Sequence, residues 1–108
     1  MKIPTISVIV STYNQPEWLH KTLLGYQCQV FNSFEIIIAD DGSDDRTKAV
    51  IDRFQANSTL QIIHVWHKDS GFRKTTILNK AILASNSMYL IFTDGDCIPR
   101  ADFVAEHY

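Results

Sequence analysis

The residues with the most chemistry to offer are acidic pairs that close apolar runs. Asp94 and Asp96 end the stretch LIFTDGDC, and Asp40 and Asp41 end FEIIIADD. Side chains alternate along an extended segment, so aspartates one residue apart project to the same side and repel unless a cation lies between them. A small set of oxygen ligands suits a hard divalent cation, Mg2+ or Mn2+, whose other positions go to water and phosphate oxygens. Four neighbouring aspartates would repel an anionic nucleotide, and a metal between Asp94, Asp96 and a pyrophosphate removes that repulsion. Arg73 stands at the start of a helical segment, where the helix dipole disfavours a cation, which implies a bound anion nearby. Asp-x-Asp also occurs in ordinary solvated turns, so the elements that carry the pair decide its meaning.

Those elements alternate. TISVIVS, FEIIIAD, LQIIHVW and MYLIFTD are rich in β-branched and other apolar residues and read as four strands. Between the first two, Asn14 is the expected helix cap, with Pro16 in the first turn and Leu19, Thr22, Leu23 and Tyr26 at helical spacing. A second helix has Thr47, Val50, Ile51 and Phe54 on one face. A third, Lys74 to Ser85, turns Ile77, Leu78, Ala81 and Ile82 to the core, and a fourth begins after Pro99. The order βαβαβαβ predicts an α/β fold, a Rossmann-like parallel sheet with helices on both faces and right-handed crossovers. Ligands in such sheets bind at the carboxyl ends of the strands. Ser11 to Asn14, Asp40, Asp41, Arg73, Asp94 and Asp96 all follow strands there, as do Gly42, Gly71 and Gly95.

Composition narrows the class. A chain of 108 residues holds one domain. Its formal charge of −2 argues against nucleic acid as a partner. Cys28 and Cys97 have neither disulfide-framework nor zinc-site spacing, which predicts a reducing cytosol. No apolar run approaches the roughly 20 residues of a membrane span, and the start has no apolar stretch of signal-peptide length. A soluble chain is expected.

Four segments in order, SVIVSTYNQPEWLHKTL, EIIIADDGSDDRT, DSGFRKTTILNKAI and IFTDGDCIPRADFV, resemble the nucleotide-binding half of family 2 glycosyltransferases with the GT-A fold. The resemblance implies that residues 1–108 are the nucleotide-sugar-binding part, truncated, with the acceptor-binding part absent. It implies an inverting transferase moving a hexosyl or N-acetylhexosaminyl group from a UDP-sugar to a hydroxyl of a glycan or lipid-linked acceptor, with Mn2+ or Mg2+ as cofactor. It further implies a cytoplasmic role in cell-surface polysaccharide biosynthesis, with membrane association only through a part beyond Tyr108. Position by position, it sets the Ser11 backbone and the Tyr13 ring against the base and Asp41 on the uracil imide. Arg73 falls at the base or diphosphate, Asp94 at the ribose or a metal-bound water, and Asp96 on the metal of this DXD motif. Asp40 either braces its turn or meets the ligand. The general base is expected beyond Tyr108, so neither Asp102 nor Glu106 is assigned that role.

Two other classes remain open at this stage. LIFTDGDC also resembles the aspartate-nucleophile strand of haloacid-dehalogenase-type phosphatases, although there the motif sits on the first strand and is followed by Gly-Thr. The other class is a non-catalytic module that binds a nucleotide or a protein. His67 and Asp69 are candidate pocket residues, while His64 and His67 lack the third ligand a metal site needs. Trp18, Trp66 and Cys97 are expected to pack, and an open edge at the fourth strand predicts self-association.

Overall fold

The computed structural model describes residues 4–107 except Ser70 and Phe72; Phe72 of the GFRK segment and the terminal Tyr108 therefore lie outside the described residues. Four parallel strands, β1 (Ile6–Thr12), β2 (Phe34–Asp40), β3 (Gln61–Trp66) and β4 (Tyr89–Asp94), form one sheet in the order β3-β2-β1-β4. The two central strands are the two most buried: β1 is buried at all but Ser11, and β2 is buried throughout. The edge strands β3 and β4 leave several side chains exposed. This is the expected α/β arrangement.

Alternation along the strands divides the core in two. Val8, Val10, Ile36 and Ile38 pack with Leu19, Leu23 and Tyr26 of α1 (Pro16–Gln27) and with Ile51 and Phe54 of α2 (Asp45–Asn57). Val104 of α4 (Phe103–His107) closes the same cluster. Ile9, Ile37 and Ala39 point the other way, against Ile77 and Ala81 of α3 (Lys74–Ala84). Leu78 packs only partly against this second cluster, and Ile82 is exposed, so α3 presents a narrower apolar face than its spacing suggests.

The connections differ from expectation in one informative place. Gln15, not Asn14, is the N-cap of α1, and it makes no side-chain capping bond. Asn14 has φ 48°, a left-handed conformation that asparagine tolerates but that is incompatible with the extended backbone of a cap. Its side-chain oxygen instead accepts from the Asp44 N–H at 2.9 Å, and its own N–H donates to Ser43 Oγ at 2.8 Å. One residue thus ties the β1–α1 loop to the β2–α2 loop. The tryptophans also differ, since Trp18 and Trp66 are both about half exposed. Each has a local partner instead: Lys21 Nζ lies 5.1 Å from the Trp18 ring centroid, and the Trp66 indole N–H donates to the Ser43 carbonyl at 3.0 Å. Among the described residues no helix is long and apolar enough to cross a membrane.

Candidate functional site

Register brings the polar strand ends together. Ser11 of β1 pairs with Asp94 of β4, and Thr12 pairs with Asp40 of β2, so the three strands stop within a residue of one another. Beyond them opens a cavity of about 450 Å³. Ser11, Tyr13, Asp41, Asp94 and Asp96, five of the six residues given a ligand or metal contact from the sequence, line it; of the two candidate pocket residues, Asp69 lines it and His67 does not. Arg73 does not; it occupies the N-cap position of α3, and its backbone N–H donates to Asp41 Oδ2 at 2.9 Å. Among the described residues the cation on the cavity wall is the next one, Lys74.

Asp94 ends β4 and Asp96 follows in a turn, closed by the Cys97 N–H donating to the Asp94 carbonyl at 3.1 Å, so this turn and not strand alternation brings the two carboxylates together. Together with the Cys97 thiol they offer ligand atoms that all lie within 4.8 Å of one another. The loop between them is fastened to α1 and β1: the Gly95 N–H donates to the Ser11 carbonyl at 2.7 Å, and Thr22 Oγ1 donates to the Gly95 carbonyl at 2.6 Å. Downstream, buried Gln29 donates to the Arg100 carbonyl at 2.7 Å and accepts from the Val104 N–H at 3.0 Å, which anchors the chain on leaving the acidic turn. Asp94 Oδ1 accepts from Ser11 Oγ at 2.7 Å and from Lys74 Nζ at 3.1 Å. These hydrogen bonds, with the Lys74 charge, hold its carboxyl below the usual range. Asp96 is exposed, and among the described residues its one hydrogen-bond partner is the Cys97 thiol at 3.7 Å. Cys97, expected to pack, is exposed here because the turn carries it outward.

A divalent cation fits this donor set. Two carboxylates face one opening, one of them almost free of protein partners, and the buried Thr12 hydroxyl on the same cavity wall has no hydrogen-bond partner among the described residues. Few protein ligands and open remaining positions are what a metal shared with phosphates requires.

The opposite wall is built on the DDGS turn. Asp40 is fully buried, accepting from the Ser43 N–H at 2.9 Å and lying 2.8 Å from His64 Nε2. Of its two open roles, the structure shows the bracing one. Asp41 reaches the cavity. Burial pushes its carboxyl up, but His67 at 2.6 Å and the Arg73 N–H outweigh that effect and leave it below the ordinary value. Tyr13 stands over the opening, its hydroxyl donating to Asp69 Oδ2 at 2.7 Å. That hydrogen bond and the Asp69 charge raise the phenol, which stays neutral. Gly42 lets the turn approach Asp69: it has φ 91°, and a Cβ there would lie 2.5 Å from the Asp69 Cα and N.

Sequence reasoning missed Lys74, although it adjoins Arg73 in FRK. It also missed the pairing of two histidines with two aspartates, for which the only sequence signal is a pair of His at the end of one strand and a pair of Asp at the end of another.

A family profile described as glycosyl transferase family 2 matches residues 7–108. The chain is 30% identical over 104 residues to validoxylamine A glucosyltransferase of Streptomyces hygroscopicus subsp. jinggangensis, covering 94% of this chain and 24% of that protein. It is 30% identical over 107 residues to chondroitin synthase of Escherichia coli, covering 97% of this chain and 15% of that protein. Among solved structures, S. aureus TarS 1–349 in complex with UDP-GlcNAc superposes with a TM-score of 0.80 at 24% identity, over 95% of this chain and 30% of that one. Mannosyltransferase PcManGT from Pyrobaculum calidifontis, in complex with GDP-Man and Mn2+, gives 0.83 at 24% identity, over 94% of this chain and 30% of that one. The chain spans about a quarter of the length of the first curated relatives it matches.

Proposed function

The chain belongs to glycosyl transferase family 2, and from that premise we propose that its cavity binds the donor of a glycosyl transfer, a UDP-sugar accompanied by Mn2+ or Mg2+. The observation that carries this reading is the convergence of Asp94 and Asp96 on the same cavity that Tyr13 and Asp41 line. Tyr13, held by Asp69, offers a ring face for stacking beside the Ser11 backbone. Asp41, kept ionised, is an acceptor and selects a base that presents a ring N–H, as the uracil imide does. Lys74 supplies positive charge to the diphosphate from the cavity wall, with Arg73 outside the lining. Asp96 and Asp94 hold the cation, Asp94 from a position where it also reaches the ribose. When bound, the cation offsets the charge that grows on the leaving diphosphate.

Two related structures hold UDP-GlcNAc and GDP-Man respectively. Guanine also presents a ring N–H donor, so the choice of uracil over guanine is the finer part of the proposal. In the whole protein the reaction is an inverting transfer of a hexosyl or N-acetylhexosaminyl group to a glycan or lipid-linked hydroxyl, on the cytoplasmic side, in cell-surface polysaccharide assembly. Residues 1–108 alone bind the donor without transferring it, because the base that takes the acceptor proton is supplied by another part of the protein. Family membership favours this reading over the phosphatase.

The test is a titration of UDP, GDP, CDP and ADP into the chain with Mn2+. UDP is expected to bind most tightly. Equal affinity for all four would remove base recognition from the proposal.

A further inference from the structure

Asp41 is fixed more firmly than a ligand-binding carboxylate in a loop needs to be. Its backbone N–H donates to the Thr12 carbonyl at 3.1 Å, and its Oδ2 accepts from the Arg73 N–H at 2.9 Å. Its Oδ1 lies 2.6 Å from Nε2 of His67, a residue only 7% exposed. The other ring nitrogen of His67, Nδ1, faces Nζ of Lys80 on α3 at 3.4 Å. An ammonium can only donate, so Nδ1 must accept, and the one proton of the neutral ring then sits on Nε2 and points at the carboxylate.

We propose that Lys80 and His67 are positioning residues for base recognition: Lys80 sets the tautomer of His67, and His67 holds Asp41 as an acceptor whose remaining lone pairs face the cavity. This inference rests on the reading of Asp41 as the group that meets the base. It deepens that reading by tracing selectivity from the cavity wall through the β3–α3 connection and into α3. The ligand class favoured is a base with a ring N–H, such as uracil, over one with a ring lone pair at the same place, such as cytosine. A carboxylate free to turn would meet either base through water. An ion pair that merely braced the β3–α3 connection would change melting and leave base preference alone, so base preference is the readout that separates the two roles.

The experiment titrates UDP and CDP, each with Mn2+, into the 108-residue chain and into Asp41→Asn, His67→Leu, His67→Gln and Lys80→Met, with a thermal melt of each. Loss of a hydrogen bond to a charged group predicts that His67→Leu weakens UDP about tenfold while CDP stays within about twofold. His67→Gln, whose amide N–H can take the Nε2 position, recovers most of the loss. Lys80→Met moves UDP the same way by about threefold. Nitrogen-15 spectra should show His67 protonated at Nε2 alone in the parent and as a tautomer mixture in Lys80→Met. Should His67→Leu fail to fold, Lys80→Met and the spectra decide by themselves, since the Lys80 side chain is exposed. If His67→Leu and Lys80→Met keep the parental UDP-to-CDP ratio while Asp41→Asn loses it, the positioning role is overturned and the Asp41 reading stands. If Asp41→Asn keeps the ratio, the Asp41 reading falls and the inference with it. A parent His67 protonated at Nδ1 also overturns the proposal.

Discussion

Gly42 and Gly71 form a matched pair for testing how the DDGS turn supports the site. Both have positive φ, 91° and 84°, so alanine at either position incurs the left-handed penalty of about 1–2 kcal/mol. Their surroundings differ. A Cβ on Gly42 would lie 2.5 Å from the Asp69 Cα and N, whereas among the described residues nothing lies within 4 Å of a Cβ on Gly71. Because the obstacle at Gly42 is backbone, no rotamer relieves it, and forced overpacking adds about 1–3 kcal/mol. Gly42→Ala should therefore lose about 2–5 kcal/mol and Gly71→Ala only about 1–2 kcal/mol, by equilibrium urea unfolding with a common m-value. Gly42→Ala must also move Asp69, which releases the Tyr13 hydroxyl, so under conditions where it remains folded it should bind UDP more weakly than the parent. Equal destabilisation of the two variants would show that the DDGS turn does not press on Asp69 and would refute this account of how Tyr13 is held.

Further outcomes follow from individual side chains. Asp41→Asn presents a donor where an acceptor is needed and should cost UDP about 1–3 kcal/mol by calorimetry, with a narrowed preference over CDP. Asp41 also predicts a pH dependence of stability: its folded pKa lies below the ordinary 3.8, so its contribution is complete above that value and is lost as pH falls through the folded pKa. Acid titration of the melting temperature should thus be shallower in Asp41→Asn than in the parent; Asp94 shifts the same way, but its side chain is 56% exposed and solvent screening reduces its share. Lys74→Met should weaken UDP by about tenfold and uridine hardly at all, by the usual worth of a hydrogen bond to a charged group, and Arg73→Met should stay within about twofold by the same titration, since Lys74 and not Arg73 lines the cavity.

The central fold is legible because β1 and β2 are buried on both faces, and such strands read as unbroken apolar runs. The helices are legible from Leu19, Leu23, Ile51, Phe54, Ile77 and Ala81, all buried at the spacing the sequence shows. The Asp94 and Asp96 pair is legible from its Asp-x-Asp spacing, although a turn after β4, and not the strand alternation expected, brings the two together. What the sequence hides depends on long-range register. Asn14 looks like a cap, yet it is drawn into the left-handed region by partners some 30 positions away in the β2–α2 loop. Trp66 looks like core, but β3 is an edge strand, and at its end the indole N–H donates to the Ser43 carbonyl while the ring stays half exposed. The Asp40–His64 and Asp41–His67 pairs each join residues 24 or 26 positions apart, a relation that local pattern does not carry. Lys74 and Arg73 are neighbours in sequence, and only the first turn of α3 decides which of them meets the cavity.

The most direct test of the account is calorimetric titration of UDP into the chain and into Asp96→Ala, each with Mn2+ and with the metal removed by chelation. Asp96 carries the claim because it is exposed at the mouth of the cavity, converges with Asp94, and is nearly free of protein partners. Measurable UDP binding is expected only for the parent with Mn2+, with a large loss on chelation and little further loss in Asp96→Ala once the metal is gone. UDP binding that is the same with and without metal, or unchanged by Asp96→Ala in its presence, would contradict it.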